Sequence, residues 1–132
     1  MQLPALLNHI CSRQAWASTT DPDGTTRLEL TTAPGRTQVI CVAAGKDPEQ
    51  DDIVFIWSVA GDAATVRDPW ALLRYSTNLP YGAICVRGQE IVVKQTLRLA
   101  AADDVTLTKT IFHVGRVADN LEAEAYQGQD LR

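Results

Sequence analysis

The sequence is poor in the side chains that most metal sites and nucleophilic enzymes use, with two histidines and three cysteines among 132 residues. Cys11, Cys41 and Cys85 lie far apart and form no C-x-x-C pair, which argues against a zinc site. Cys41 and Cys85 stand in apolar segments, where free cysteine behaves as a small buried hydrophobe. We therefore predict no metal, no cofactor and no catalytic residue.

An excess of positive charge and a long apolar run are also missing. Twelve Lys and Arg residues face sixteen Asp and Glu residues, so the net charge is -4 and the isoelectric point is near 5.0. This is the wrong sign for a protein that gains affinity by neutralising phosphates. No apolar stretch approaches the roughly 20 residues that span a bilayer, and Met1–Pro4 lacks the basic start of a secretory signal. We expect a cytoplasmic protein with neither nucleic acid nor a membrane as partner.

The length and composition are those of one globular domain, which we assign to residues 1–132. Hydrophobic residues make up 45% and charged residues 21% of the chain. At this size about two thirds of the surface of the unfolded chain can be buried on folding. Neither a disulfide nor a metal is needed to stabilise such a core.

Three segments have the apolar spacing or the capping residues of helices. The first helix follows from apolar residues at 3.6-residue spacing, namely Leu3, Leu6, Leu7, Ile10 and Cys11. Asp68 and Pro69 offer an N-cap and a first helical residue for a short second helix that ends before Pro80. Asp103 caps a long last helix, and Gly115 within it indicates close packing. Its apolar stripe is Leu107, Ile111, Val114, Ala118, Leu121 and Ala125.

Five segments have the pattern of strands, and a turn-rich loop at Ser18–Gly24 precedes them. The strand around Leu28 and Leu30 is joined by a type II turn at Pro34–Gly35 to a second strand over 37–44. A third strand, over 53–60, carries apolar residues on both of its faces. A type II′ turn at Gly88–Gln89 joins the last two strands. The order α-β-β-β-α-β-β-α predicts an α+β fold with a twisted antiparallel sheet and segregated helices.

Two stretches in the second half resemble the class I type III secretion chaperones, of the Tir chaperone type, and the related YbjN-like family. Residues 72–86 are similar to the families' helix ending in "LL..N..L" and the small-residue strand start that follows it. Residues 88–99 resemble their "G..L.L..TLPL" hairpin, although Leu97-Arg98 stands where the chaperones have Leu-Pro. Asp103-Asp104 resembles the Asp-rich start of their last helix.

This resemblance implies a non-enzymatic protein-binding module, chaperone or adaptor-like, that forms a homodimer and binds a segment of a partner protein on an apolar surface. In that fold the second helix and the fourth and fifth strands contribute to the dimer contact, which here implies Trp70, Leu73, Tyr81, Ile84 and Val92. A chaperone would line a groove for the partner's peptide with Leu3, Leu7, Ile10 and Trp16. The alternative is that the first helix packs on its own sheet.

Two other classes of function remain open at this stage. One is a regulatory domain of a cytoplasmic signalling or stress pathway that acts on another protein without chaperoning it. The other is a small-molecule-binding or enzymatic domain with its site in a cleft between the first helix and the sheet. A deep pocket with convergent polar groups would favour this last class.

Overall fold

The structure, a computed structural model, describes residues 2–126 of the chain and the side chains of residues 2–124. The helices are α1 (Leu3–Gln14), α2 (Pro69–Thr77) and α3 (Asp104–Tyr126). The strands are β1 (Ala17–Thr20), β2 (Thr26–Ala33), β3 (Arg36–Lys46), β4 (Asp52–Asp62), β5 (Ala83–Arg87) and β6 (Glu90–Arg98). Short 3₁₀ turns at Ala63–Thr65 and Leu99–Ala101 precede α2 and α3.

The strands form one sheet in the order β1-β2-β3-β4-β6-β5, and every neighbouring pair is antiparallel. The predicted α+β fold is thereby confirmed. β4 lies inside the sheet between β3 and β6, which accounts for its apolar residues on both faces. Val54 and Ile56 belong to the core shared with the helices, and Trp57 belongs to a second buried cluster with Cys41 and Val92.

β1 is a strand that sequence reasoning missed, because its residues fall partly in the predicted loop at Ser18–Gly24. Its four residues are all exposed, so no apolar alternation marks them. Threonine nevertheless suits extended backbone. The turn that joins β1 to β2 is closed by the N–H of Asp21, which donates to the carbonyl oxygen of Thr25 at 2.8 Å. The layout thus gains a short edge strand before the predicted first strand.

The main core lies between one face of the sheet and the helices. α3 has its predicted stripe in this core, where the buried residues are Leu107, Ile111, Val114, Ala118 and Leu121. Ala125, also predicted for the stripe, lies outside the described side chains. The opposing sheet residues include Leu28, Leu30, Ile40, Val42, Val54, Ile56 and Val93.

The capping and turn chemistry read from the sequence is present in the structure. The carboxylate of Asp68 accepts from the backbone N–H groups of Trp70 and Ala71, at 3.0 and 3.3 Å. Asp103 accepts from the N–H of Thr106 at 2.7 Å, and this hydrogen bond lowers the pKa of Asp103. Gly35 and Gly88 have positive φ, as the type II and type II′ turns require.

Gly115 brings α3 into close contact with the sheet. A Cβ at this position would lie 2.7 Å from Cδ1 and 2.9 Å from Cγ1 of Ile40, which is fully buried on β3. Carbon atoms in contact normally stay 3.5 to 4 Å apart. The helix can approach β3 this closely only because residue 115 has no side chain.

We expect Gly115→Ala to lower the free energy of unfolding by about 1 kcal/mol, because overpacking costs about 1 to 3 kcal/mol and the better helix propensity of alanine returns about 1 kcal/mol. Urea denaturation measures this change. Ile40→Val removes Cδ1, so the double variant should be more stable than the sum of the two single effects predicts. A stabilised Gly115→Ala protein, or strictly additive effects, would contradict this account of the packing.

Candidate functional site

α1 packs on the chain's own sheet. Leu3, Leu7 and Ile10 are only 7, 3 and 1% exposed and belong to the main core, and Trp16 is half-buried against that core. As folded here, the three aliphatic side chains are covered by the chain itself and expose almost no surface to a peptide. The first helix therefore packs on the chain's own sheet, which is the alternative to a peptide-binding groove given above.

α2 differs from α1 because much of its apolar surface faces solvent. Only Ala71 is buried, while Leu72 and Tyr75 are half-buried against the core. Trp70 is 69% and Leu73 is 52% exposed. Residues three apart share a helix face, so these two side chains form one apolar strip on the outside of α2. Large apolar side chains that share an exposed face often mark an interaction surface.

β5, which forms an edge of the sheet, packs beside α2, and its backbone is partly covered by that helix. The hydroxyl of Ser76 accepts a hydrogen bond from the N–H of Ile84 at 2.9 Å. The five-residue length of β5 and this side-chain partner leave little free edge for another strand. Contact with a partner is therefore more favourable through side chains here than through strand addition.

The contact between Ser76 and Ile84 also sets the relative position of α2 and β5. Leu73 lies nearly one helical turn before Ser76, about 4.5 Å along the axis, and Val86 lies two residues beyond Ile84, about 6.6 Å along the strand. Leu73 and Val86 thus belong to the two elements that this hydrogen bond joins. Val86 is 67% exposed. We call Trp70, Leu73 and Val86 together the α2–β5 surface.

The residues implied for a dimer contact are distributed between this surface and the interior. Trp70 and Leu73 are exposed as such a contact requires. Ile84 is half-buried against the main core, and Tyr81 stacks on His113 of α3 with ring centroids 4.5 Å apart. Val92 is fully buried in the cluster with Cys41 and Trp57, so it has no surface to give to a second subunit.

Val86 was not among the predicted contact residues. Its place two residues after Ile84 puts both side chains on one face of the strand. This alternation was visible in the sequence. Only the structure shows, however, that the core ends before Val86.

The sheet face opposite the helices is apolar at its centre but covered by cationic side chains. The guanidinium of Arg87 lies 4.5 Å from the ring centroid of Trp57, and Nζ of Lys94 lies 4.6 Å from that of Phe55. Arg27 donates from Nη1 to Sγ of Cys41 at 3.5 Å. These contacts cover apolar rings with charged groups. On this face the rings are covered by cations, while Val39 of β3 is 42% exposed.

Burial disfavours the thiolate form of Cys11 and Cys41. Burial raises the pKa of Cys11 and of Cys41, and for Cys41 the nearby Arg27 offsets this only in part. The thiolate is the nucleophilic and metal-binding form, so this burial disfavours both roles for these two residues. Over residues 2–126, no group of three or more His, Cys, Asp or Glu side chains is placed to hold a metal ion.

The sequence matches no protein-family model and no curated protein. The similarity to secretion chaperones therefore remains a prediction that depends on the sequence stretches quoted above. Among the described helices, none has the length and apolar content that crossing a bilayer requires.

We expect Ser76→Ala to lower the free energy of unfolding by about 1 kcal/mol, because the N–H of Ile84 loses its hydrogen-bond acceptor. Hydrogen exchange at the Ile84 amide should accelerate about fivefold if that amide exchanges by local opening. Thr77→Ala is the matched control, since the Thr77 hydroxyl donates only to the carbonyl of Leu73 within α2. Unchanged exchange at Ile84 in Ser76→Ala would show that the serine does not protect the edge.

Proposed function

We propose that this chain is a non-enzymatic, cytoplasmic protein-binding module, chaperone or adaptor-like, that binds partner proteins through the α2–β5 surface. The observation that supports this most directly is the exposure of Trp70. Tryptophan is enriched in the centres of protein interfaces, where its large ring supplies much of the binding energy. Here it is 69% exposed beside a second apolar residue on the same helix face.

The geometry favours docking of a helix face or an apolar segment against side chains. Trp70 and Leu73 are spaced three residues apart, which is the spacing of anchor residues when an amphipathic helix contacts a partner. Val86 extends the apolar area from the helix to the neighbouring strand. The hydrogen bond from Ile84 to Ser76 works against the other mode, in which a partner strand joins β5.

The first partner in this proposal is a second copy of the chain. A two-fold axis beside α2 would bring the same strip of each subunit together, so that Trp70 of one copy contacts Leu73 of the other. Each copy has a net charge of -4, and association must therefore gain its free energy from apolar burial against a weak repulsion. The resemblance to dimeric secretion chaperones independently favours this assembly.

Light scattering tests the homodimer. At micromolar concentration the wild-type chain should have twice the 14.4 kDa subunit mass, about 29 kDa. Trp70→Asp and Leu73→Asp should each return the mass to that of a monomer, because a carboxylate would be buried without a partner. Trp70 is near the start of α2, where an acidic residue is compatible with the helix dipole, so folding is preserved.

Val105→Asp is the matched control, because Val105 is 66% exposed and also lies in the first turn of a helix, α3, which is not part of the proposed contact. This variant should keep the mass of the wild type. A monomeric wild-type chain would overturn the homodimer. Equal dissociation by the substitutions at positions 70 and 105 would overturn the assignment of the contact to α2.

Binding of another protein is tested by photo-crosslinking in the native host, with benzoylphenylalanine placed at position 86, outside the α2 strip of the homodimer contact, or at position 105. We expect a defined heterologous product from position 86 alone. Equal products from both positions, or none from position 86, would contradict a partner-binding role of the α2–β5 surface.

A further inference from the structure

A cleft with a volume of about 340 Å³ lies between α1 and the first half of α3. Its walls include Ile10, Arg13 and Trp16 on one side and Val105, Lys109 and Phe112 on the other. Clefts that bind small organic molecules typically have volumes of about 300 to 1,000 Å³. The cleft is therefore of the right size for a small ligand. None of the residues that line the cleft belongs to α2 or β5, so this inference does not rest on the proposed protein-binding function.

Aromatic and aliphatic side chains give the cleft an apolar interior. Trp16 is half-buried and Ile10 is buried, and Phe112 faces the cleft from α3. Trp16 is held in place by the end of α1. Ala15 adopts a left-handed backbone conformation with φ of 58°, and the N–H of Trp16 donates to the carbonyl of Cys11 at 3.1 Å. These contacts position the backbone of Trp16 at the cleft, where its indole provides a flat surface on which a planar ligand can stack.

The charges at the cleft select an anion. The carboxylate of Asp104 is paired with Arg13 at 2.8 Å, and Nε2 of His9 lies 3.6 Å from the same carboxylate. Within the described residues, Lys109 has no ion-pair partner. Thr108 and His113 add polar groups that can donate hydrogen bonds. The cleft therefore combines apolar walls with one uncompensated ammonium group.

We propose that the cleft between α1 and α3 binds a small amphipathic carboxylate. Its planar apolar body packs between Trp16 and Phe112, and its carboxylate pairs with Lys109. One uncompensated cation matches a single negative charge better than a multiply charged phosphate. The hydrogen bond of a carboxylate to an ammonium group is stronger than that of a neutral hydroxyl. The site should therefore discriminate by charge among ligands of equal shape.

Three probes of nearly equal shape test this: 2-naphthoate, 2-naphthylmethanol and 2-naphthylmethylammonium, titrated into the isotope-labelled full chain. The indole N–H signals of Trp16, Trp57 and Trp70 are followed by NMR. We expect 2-naphthoate to bind about tenfold more tightly than the alcohol, a difference equivalent to 1.4 kcal/mol, and to shift the Trp16 signal selectively. The ammonium probe should bind most weakly. Equal affinities of the three probes, or a shift confined to Trp70, would overturn the proposal.

Lys109→Gln should weaken 2-naphthoate binding about tenfold and leave the affinity for the alcohol unchanged. Lys94→Gln is the matched control, because Lys94 lies over Phe55 on the sheet face opposite the helices, and it should not alter either affinity. Val105→Trp places a large side chain in the cleft and should abolish binding while Tm stays within a few degrees. Full binding by the Val105→Trp or the Lys109→Gln protein would contradict the site. Tighter binding of a short peptide that ends in phenylalanine would assign the cleft to peptides instead.

Discussion

The close approach of α3 to the sheet positions the other parts of the helical layer. Gly115 removes the side chain that would keep the helix away from Ile40, and the apolar stripe from Leu107 to Leu121 covers the sheet along the helix. A buried polar contact fixes the later part of α3. The carboxylate of Asp119 accepts from the hydroxyl of Thr32 at 3.0 Å and from Nη2 of Arg36 at 3.0 Å. These contacts join α3 to β2 and β3, the strands that carry Thr32, Arg36 and Ile40.

The apolar residues on the two faces of the sheet are covered in different ways. The helices cover one face, while the other is covered by its own long side chains, with Arg87 over Trp57 and Lys94 over Phe55. Both solutions remove apolar area from water. Neither covers the outer side of α2, where Trp70 and Leu73 are exposed.

Local chemistry made most elements predictable, whereas burial depended on contacts distant in sequence. The N-caps Asp68 and Asp103 and the turn glycines mark element ends within a few residues of themselves. β1 carries no such signal, because its exposed threonines neither alternate with apolar residues nor face a core. Val92 shows that burial at the candidate site could not be predicted from local sequence either. Its strand was predicted correctly, but Val92 is buried with Cys41 of β3 and Trp57 of β4, which no pattern within β6 reveals.

Tyr81 shows how the interior supports the exposed surface. This residue lies in the loop between α2 and β5, and its ring stacks on His113 of α3. The next residue, Gly82, donates its N–H to Oε1 of Gln95 at 2.8 Å, and a Cβ there would lie 2.6 Å from Cγ1 of Val93. The loop is therefore held against both α3 and β6. Since this loop leads from α2 directly into β5, these contacts also help fix where Trp70, Leu73 and Val86 stand. Tyr81, implied from sequence as an interface residue, thus stabilises the α2–β5 surface from within the chain.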